Sequence, residues 1–142
     1  MADVYAACVG RFYAELAERL VEGAGRVFEE AGATMEVHDV PGAFELPLAA
    51  RYCADTGRYA GVACLGAVIR GETSHYDLVC SETASGIARV GLDTGVPCAF
   101  GVLTVENMDQ ALARSGGGKR HQGEDAAHAV LRMVALRRDF GS

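Results

Sequence analysis

The nine residues GVACLGAVI at 61–69 carry no charge and, the Cys64 thiol aside, no polar side chain. A run so short and so apolar marks a strand buried on both faces, which is found inside a parallel sheet covered by helices on each side. Such a strand cannot stand alone. The remaining chain has to supply parallel neighbours and two helical layers.

Its patterning meets that demand. Residues 4–9 form a short apolar run closed by Gly10, which predicts a first strand. Tyr13, Leu16, Ala17, Leu20, Val21, Ala24, Val27, Phe28 and Ala31 then recur at three- and four-residue spacing. That spacing predicts a helix of about five turns, ended by Gly32. Residues 34–40 alternate and predict a second strand, Pro41 and Gly42 break the chain, and residues 44–54 predict a helix stopped near Gly57. After the 61–69 strand a helix starts at His75, with Tyr76, Val79, Cys80, Thr83, Ile87 and Val90 on one side. Ser74 suits its N-cap, and Asp77 three residues on would complete a capping box. Pro97 opens a fourth strand over 98–104, residues 107–114 predict a helix, and 116–118 a flexible turn. A last helix is predicted over 123–138, with Ala127, Val130, Leu131 and Val134 turned inward. Strand and helix alternate with short connections, so the expected architecture is a three-layer α/β/α sandwich around a four-stranded parallel sheet. With no linker, repeat or low-complexity segment, one domain is expected over 1–142.

Composition narrows the function classes. Hydrophobic residues make up 50 % of the chain and charged ones 23 %, a globular profile that argues against disorder. No apolar run approaches the roughly 20 residues needed to cross a bilayer, and MADVYAACVG has no basic leader, so the chain reads as cytoplasmic and not membrane-bound. A net charge of −6 argues against nucleic acid as a partner, because phosphate binding needs a basic face. The one basic cluster, Lys119-Arg120-His121, is short. Five cysteines (Cys8, Cys53, Cys64, Cys80, Cys98) form an odd set without a C-x-x-C pair. Cys8, Cys64 and Cys98 lie in strand-like runs, where a thiol behaves as a small buried hydrophobe. Neither a disulfide framework nor a zinc site is expected.

Ligands of open α/β sheets bind beyond the carboxyl ends of the strands. Four segments occupy that edge: Gly10-Arg11-Phe12, the 40–45 loop, the 68–75 loop, and the stretch after Val102. In the 68–75 loop the start of a helix offers unpaired N–H groups to an anion, Gly71 allows close approach, and His75 sits in the first turn. An imidazole there can move protons, although a capped helix with a solvated histidine has the same appearance. In VPGAFELP at 40–47 two prolines bracket a glycine, an aromatic ring and a carboxylate. That segment could grip a planar heterocycle or serve only as a stiff turn. Phe12 could stack on a ring or belong to the core. Arg114 could pair with phosphate, or merely with a helix dipole.

Taken in order, Gly10-Arg11-Phe12, VPGAFELP (40–47), GAVIRGETSHYD (66–77), FGVLTVEN (100–107) with Gln110-Ala111, and Arg114-Ser115-Gly116 resemble the lumazine synthase family over nearly the whole chain. The resemblance implies a flavodoxin-like α/β/α fold and a transferase of riboflavin biosynthesis. That enzyme condenses 5-amino-6-(D-ribitylamino)uracil with 3,4-dihydroxy-2-butanone 4-phosphate, giving 6,7-dimethyl-8-ribityllumazine. It further implies a homopentamer with active sites at subunit interfaces, twelve pentamers building a shell in some members, and neither cofactor nor metal. By position, Phe12 would stack on the pyrimidine ring, with Phe100 supplied by a neighbouring subunit. Ala43, Phe44 and Glu45 would hold ribityl and ring groups, and the backbone of Ala67, Val68 and Ile69 the pyrimidinedione edge. Glu72 and Thr73 would offer backbone N–H groups to phosphate, Arg114 its cationic partner, and His75 proton transfer.

Three departures stand out. Family members usually carry asparagine-lysine-glycine where this chain has His121-Gln122-Gly123, so a positive charge is missing at Gln122 unless Lys119 or Arg120 supplies it. Many have asparagine at the position of Tyr13. The chain also begins almost at its first strand, which points to a pentamer or a decamer of two pentamers in preference to a shell. The alternatives are an archaeal-type riboflavin synthase, against which VPGAFE and VIRGETSH argue, and a non-catalytic lumazine- or flavin-binding oligomer.

Overall fold

In the computed structural model, which describes residues 2–141, strand and helix alternate from end to end. The elements are β1 (Val4–Gly10), α1 (Ala14–Glu30), β2 (Thr34–Val40), a 3₁₀ turn (Ala43–Glu45), α2 (Leu46–Asp55), β3 (Gly61–Ile69), α3 (His75–Thr94), β4 (Cys98–Val105), α4 (Met108–Ala113) and α5 (Gln122–Asp139). All strand pairs are parallel, in the order β2-β1-β3-β4. The three-layer sandwich expected from the pattern is the observed one.

The 61–69 run lies in the interior of the sheet, between β1 and β4, with Tyr5 opposite Gly61 and Val62 opposite Cys98. Its alternate side chains feed two cores. On one face Ala63 and Leu65 meet Leu16, Leu20 and Phe28 of α1 and Val130 of α5. Phe28 also stacks on Tyr5, ring centroids 4.5 Å apart. On the other face Val62 and Cys64 meet Leu46 and Ala50 of α2 and Ile87 of α3. Each fully buried Leu, Ile or Phe contributes about 1.5–3 kcal/mol relative to its exposed state. The two helical layers are unequal in cover. α1 buries a full stripe, whereas the fully buried residues of α3 are Thr83, Ile87 and Val90 alone, so most of that long helix faces outward. Among the described residues no helix is long and apolar enough to cross a membrane.

Several local expectations change. The capping box at Ser74 does not form. Ser74 has helical backbone angles (φ −71°, ψ 0°) and makes no side-chain cap bond. Thr73 Oγ1 instead accepts the His75 N–H at 3.3 Å, and Asp77 turns to the Arg70 guanidinium, 3.5 Å away. Tyr13 is the N-cap residue of α1 and not its first turn. The segment after Pro41-Gly42 starts as a 3₁₀ turn, and the α-helix proper begins at Leu46 with Pro47 in its first turn, where the missing N–H is harmless. Cys98 is half-buried at the start of β4, while Cys8 and Cys64 are fully buried as expected.

Candidate active site

Because β2 lies on one side of β1 and β3 on the other, the chain reverses direction across the sheet between β1 and β3. Ligands of open α/β sheets bind outside the carboxyl ends at such a point. A cleft of about 640 Å³ opens there. Phe12 and Tyr13 reach it from the end of β1, and Ala43, Phe44 and Glu45 from the 3₁₀ turn. Ala67, Val68 and Ile69 line it from β3, and His75 from the start of α3.

Close backbone approach builds this corner. A Cβ at Gly10 would lie 3.0 Å from the Gly42 carbonyl carbon, so the end of β1 and the 40–45 loop touch only because residue 10 has no side chain. The Arg11 N–H donates to Val40 O at 3.0 Å, and its guanidinium pairs with Asp39 at 2.6 Å and with Glu18. Anchored this way, Arg11 leaves its successor Phe12 turned out, 76 % exposed, with Tyr13 edge-on at 4.9 Å. Phe44 is 58 % exposed. Two bare aromatic faces at one cleft constitute a surface suited to a flat ring. Glu45 is partly committed to the turn: its Oε1 accepts the Gly42 N–H at 2.9 Å. His75 is exposed and is the first residue of α3.

Phe100 and Arg114 lie elsewhere. They line a separate cavity of about 290 Å³ beside β4, together with Thr104, Gln110, Arg120 and Gln122. Arg114 caps α4 and donates from Nη1 to Gln110 O at 3.2 Å. It has no carboxylate within ion-pair range among the described residues, whereas Arg120, the other guanidinium here, is paired with Asp125 at 2.8 Å. A half-buried guanidinium without a counter-ion is a ready partner for an anion. Gln122 Nε2 donates to Phe100 O at 3.4 Å, so the residue that departs from the family pattern borders this same cavity. The wall is fixed by His121, which caps α5 by accepting the Glu124 N–H on Nδ1 and lays its ring on α1 where Gly23 leaves room.

Of the sequence-predicted residues, the structure therefore brings together Phe12, Ala43, Phe44, Glu45, Ala67, Val68, Ile69 and His75, and places Phe100 and Arg114 in a second cavity. Glu72 and Thr73 stand on the exposed loop before α3 and line neither. Sequence reasoning missed Tyr13, Leu78 and Val79 as cleft residues. Leu78 and Val79 follow His75 by three and four residues, so helical spacing alone puts them on the histidine's face. Among the described residues no three His, Cys, Asp or Glu side chains converge to hold a metal ion.

Residues 4–138 match a family profile described as 6,7-dimethyl-8-ribityllumazine synthase. The chain is 47 % identical over 135 residues to the 6,7-dimethyl-8-ribityllumazine synthase of Salinibacter ruber, covering 93 % of this chain and 86 % of that one. It is 47 % identical over 137 residues to the protein of that name from Chlorobium phaeobacteroides, with 94 % and 88 % covered. For Prosthecochloris aestuarii the identity is 46 % over 135 residues, with 93 % and 87 % covered.

Proposed function

The chain belongs to the 6,7-dimethyl-8-ribityllumazine synthase family, and from that premise we propose that its two cavities are complementary halves of one active site, joined across a subunit boundary. It is a transferase of riboflavin biosynthesis, condensing 5-amino-6-(D-ribitylamino)uracil with 3,4-dihydroxy-2-butanone 4-phosphate. The observation that carries the two-half reading is the separation itself: aromatic rings and His75 share one cleft, and the uncompensated Arg114 faces another.

In this reading Phe12 stacks on the pyrimidine ring, and Phe100 of a neighbour closes over it. The 43–45 turn holds the ribityl chain, and the backbone at 67–69 reads the pyrimidinedione edge. The aromatic amine attacks the ketone carbonyl and water leaves, forming an imine. Phosphate is then eliminated toward the loop N–H groups of Glu72 and Thr73 and the neighbour's Arg114. Ring closure releases a second water. Each step moves a proton, and His75, at the cleft edge, is placed to shuttle it. Holding two mutually reactive substrates together supplies a large part of the acceleration.

Joining unlike faces is a heterologous contact, which closes into a ring when the rotation allows. We assign that ring as a homopentamer, with the pair-of-pentamers decamer as its larger form. A cytoplasmic location fits the five free thiols.

The test follows lumazine fluorescence from the two substrates. Wild type should exceed the uncatalysed background. With the phosphorylated ketone kept well below its KM, each variant alone is nearly inactive. His75→Ala and Arg114→Ala, dissociated and reassembled together, should then recover about a quarter of wild-type activity, because a site needs one intact half from each of two neighbours. No recovery on mixing would overturn the shared site.

A further inference from the structure

The 71–74 loop has little to hold it. Glu72, Thr73 and Ser74 are exposed, a Cβ at Gly71 would meet nothing within 4 Å, and among the described residues the side-chain bond across it is the single Thr73–His75 contact. A segment with so few contacts sits at the low-stability end of a fold unless its ends are pinned. One side chain pins both ends. At the loop's entry the Arg70 N–H extends the sheet by donating to Val105 O at 2.9 Å. Its guanidinium then donates from Nε to Glu106 Oε2 at 2.8 Å, just past β4. At the loop's exit, the same guanidinium lies 4.3 Å over the Tyr76 ring and 3.5 Å from Asp77, both in the first turn of α3. Glu106 is itself fixed, since its N–H donates to Gln110 Oε1 at 2.8 Å.

Resting on the function proposed above, we propose that Arg70 is a positioning residue that holds the 71–74 loop in the shape that receives the substrate phosphate. It is not the phosphate's own cation. Its charge is already met by Glu106 and Asp77, whereas Arg114 has no carboxylate partner among the described residues. Arg70 acts through the backbone that it clamps, by ordering N–H donors before the anion arrives. The planar guanidinium matters here, because one flat group has to stack on Tyr76 while it bonds sideways to Glu106.

The experiment uses the assembled protein and compares wild type with Arg70→Met, Arg70→Lys and Glu106→Gln. Methionine keeps the aliphatic reach and removes the charge and the donors. Each variant is assayed for KM toward both substrates and for kcat, and inorganic phosphate binding is measured by calorimetry. Arg70→Met should raise the KM of the phosphorylated ketone and the phosphate Kd about tenfold, and leave the pyrimidine KM and kcat within about twofold. Arg70→Lys should fall between the two. A merely structural role would move both KM values together, and that result, or no change in either, overturns the proposal. Should Arg70→Met fail to fold, the near-isosteric Glu106→Gln carries the same expectation at about threefold, and an unchanged phosphate Kd in that variant overturns it. Turnover by wild type reports on the proposed function, whereas the variant-to-wild-type ratio of phosphate Kd reports on Arg70 even without turnover.

Discussion

The cleft outside β1 and β3 is walled by two exposed aromatic rings and an imidazole, whereas the cavity outside β4 holds a half-buried guanidinium, two amides and a single ring. The first suits a flat, uncharged heterocycle. The second suits an anion. Their supports differ as well: the cleft depends on Gly10 meeting Gly42 backbone to backbone, and the cavity on Gly23 admitting the His121 ring. What the contrast teaches is that one chain presents two chemically unlike cavities, one walled by aromatic rings and an imidazole and the other by a guanidinium and amides. The exposed rings and His75 are separated from Arg114 by the place of β4 in the strand order.

That partition can be broken by kinetics. His75→Ala should lower kcat about a hundredfold, the scale of a lost general acid–base, and leave residual turnover from proximity. Arg114→Ala should raise the KM of the phosphorylated substrate about thirtyfold, equivalent to about 2 kcal/mol for a charged hydrogen bond, with the pyrimidine KM steady. Steady-state assays varying each substrate in turn check this. Equal effects of either variant on both substrates would dissolve the distinction between the halves.

Gly23→Ala sharpens it. A Cβ there would sit 2.1 Å from His121 Cε1, so the ring has to move, at a cost of about 1–3 kcal/mol. Thermal unfolding should register that loss. The KM for the phosphorylated substrate should suffer more than the pyrimidine KM, because Gln122 follows His121 directly in the cavity wall.

Two smaller effects serve as controls outside both halves. Thr83 is fully buried on α3 and its Oγ1 has no hydrogen-bond partner among the described residues, so Thr83→Val should raise stability by about 1 kcal/mol, measured as a higher Tm with unchanged kinetics. On β2 the hydrogen bonds from Arg58, and then from Tyr59, hold the Glu36 carboxyl down at about 2. A carboxyl lowered on folding adds stability that is present above its unfolded value and lost as pH falls through the folded one. Glu36→Gln should therefore be slightly less stable than wild type at neutral pH, and the difference should vanish near pH 2. Acid titration of the two proteins side by side checks it.

The histidine loop shows how far residue patterns reach. Its placement after a buried strand and its helix start at His75 were legible, since both follow from periodicity. Its cap was not: Ser74 and Asp77 have the right spacing for a capping box, but Arg70 competes for Asp77 from seven residues away, and local spacing cannot weigh that. Phe12 likewise could stack on a ring, although an aromatic after a first strand is more often plain core. Its exposure is settled by Arg11, which is tied to Asp39 on the neighbouring strand.

Taken alone, the sequence determined the layered α/β/α architecture, the four parallel strands and the edge of the sheet at which the candidate cleft opens, because hydrophobic period and turn residues act locally along the chain. Its motifs also determined the family. The tertiary structure decided how those motifs divide. Strand order sets β4 beyond β3, and that order arises from long-range packing that no local pattern encodes. It puts Arg114 and Phe100 out of His75's cleft, and divides the candidate site residues between two cavities.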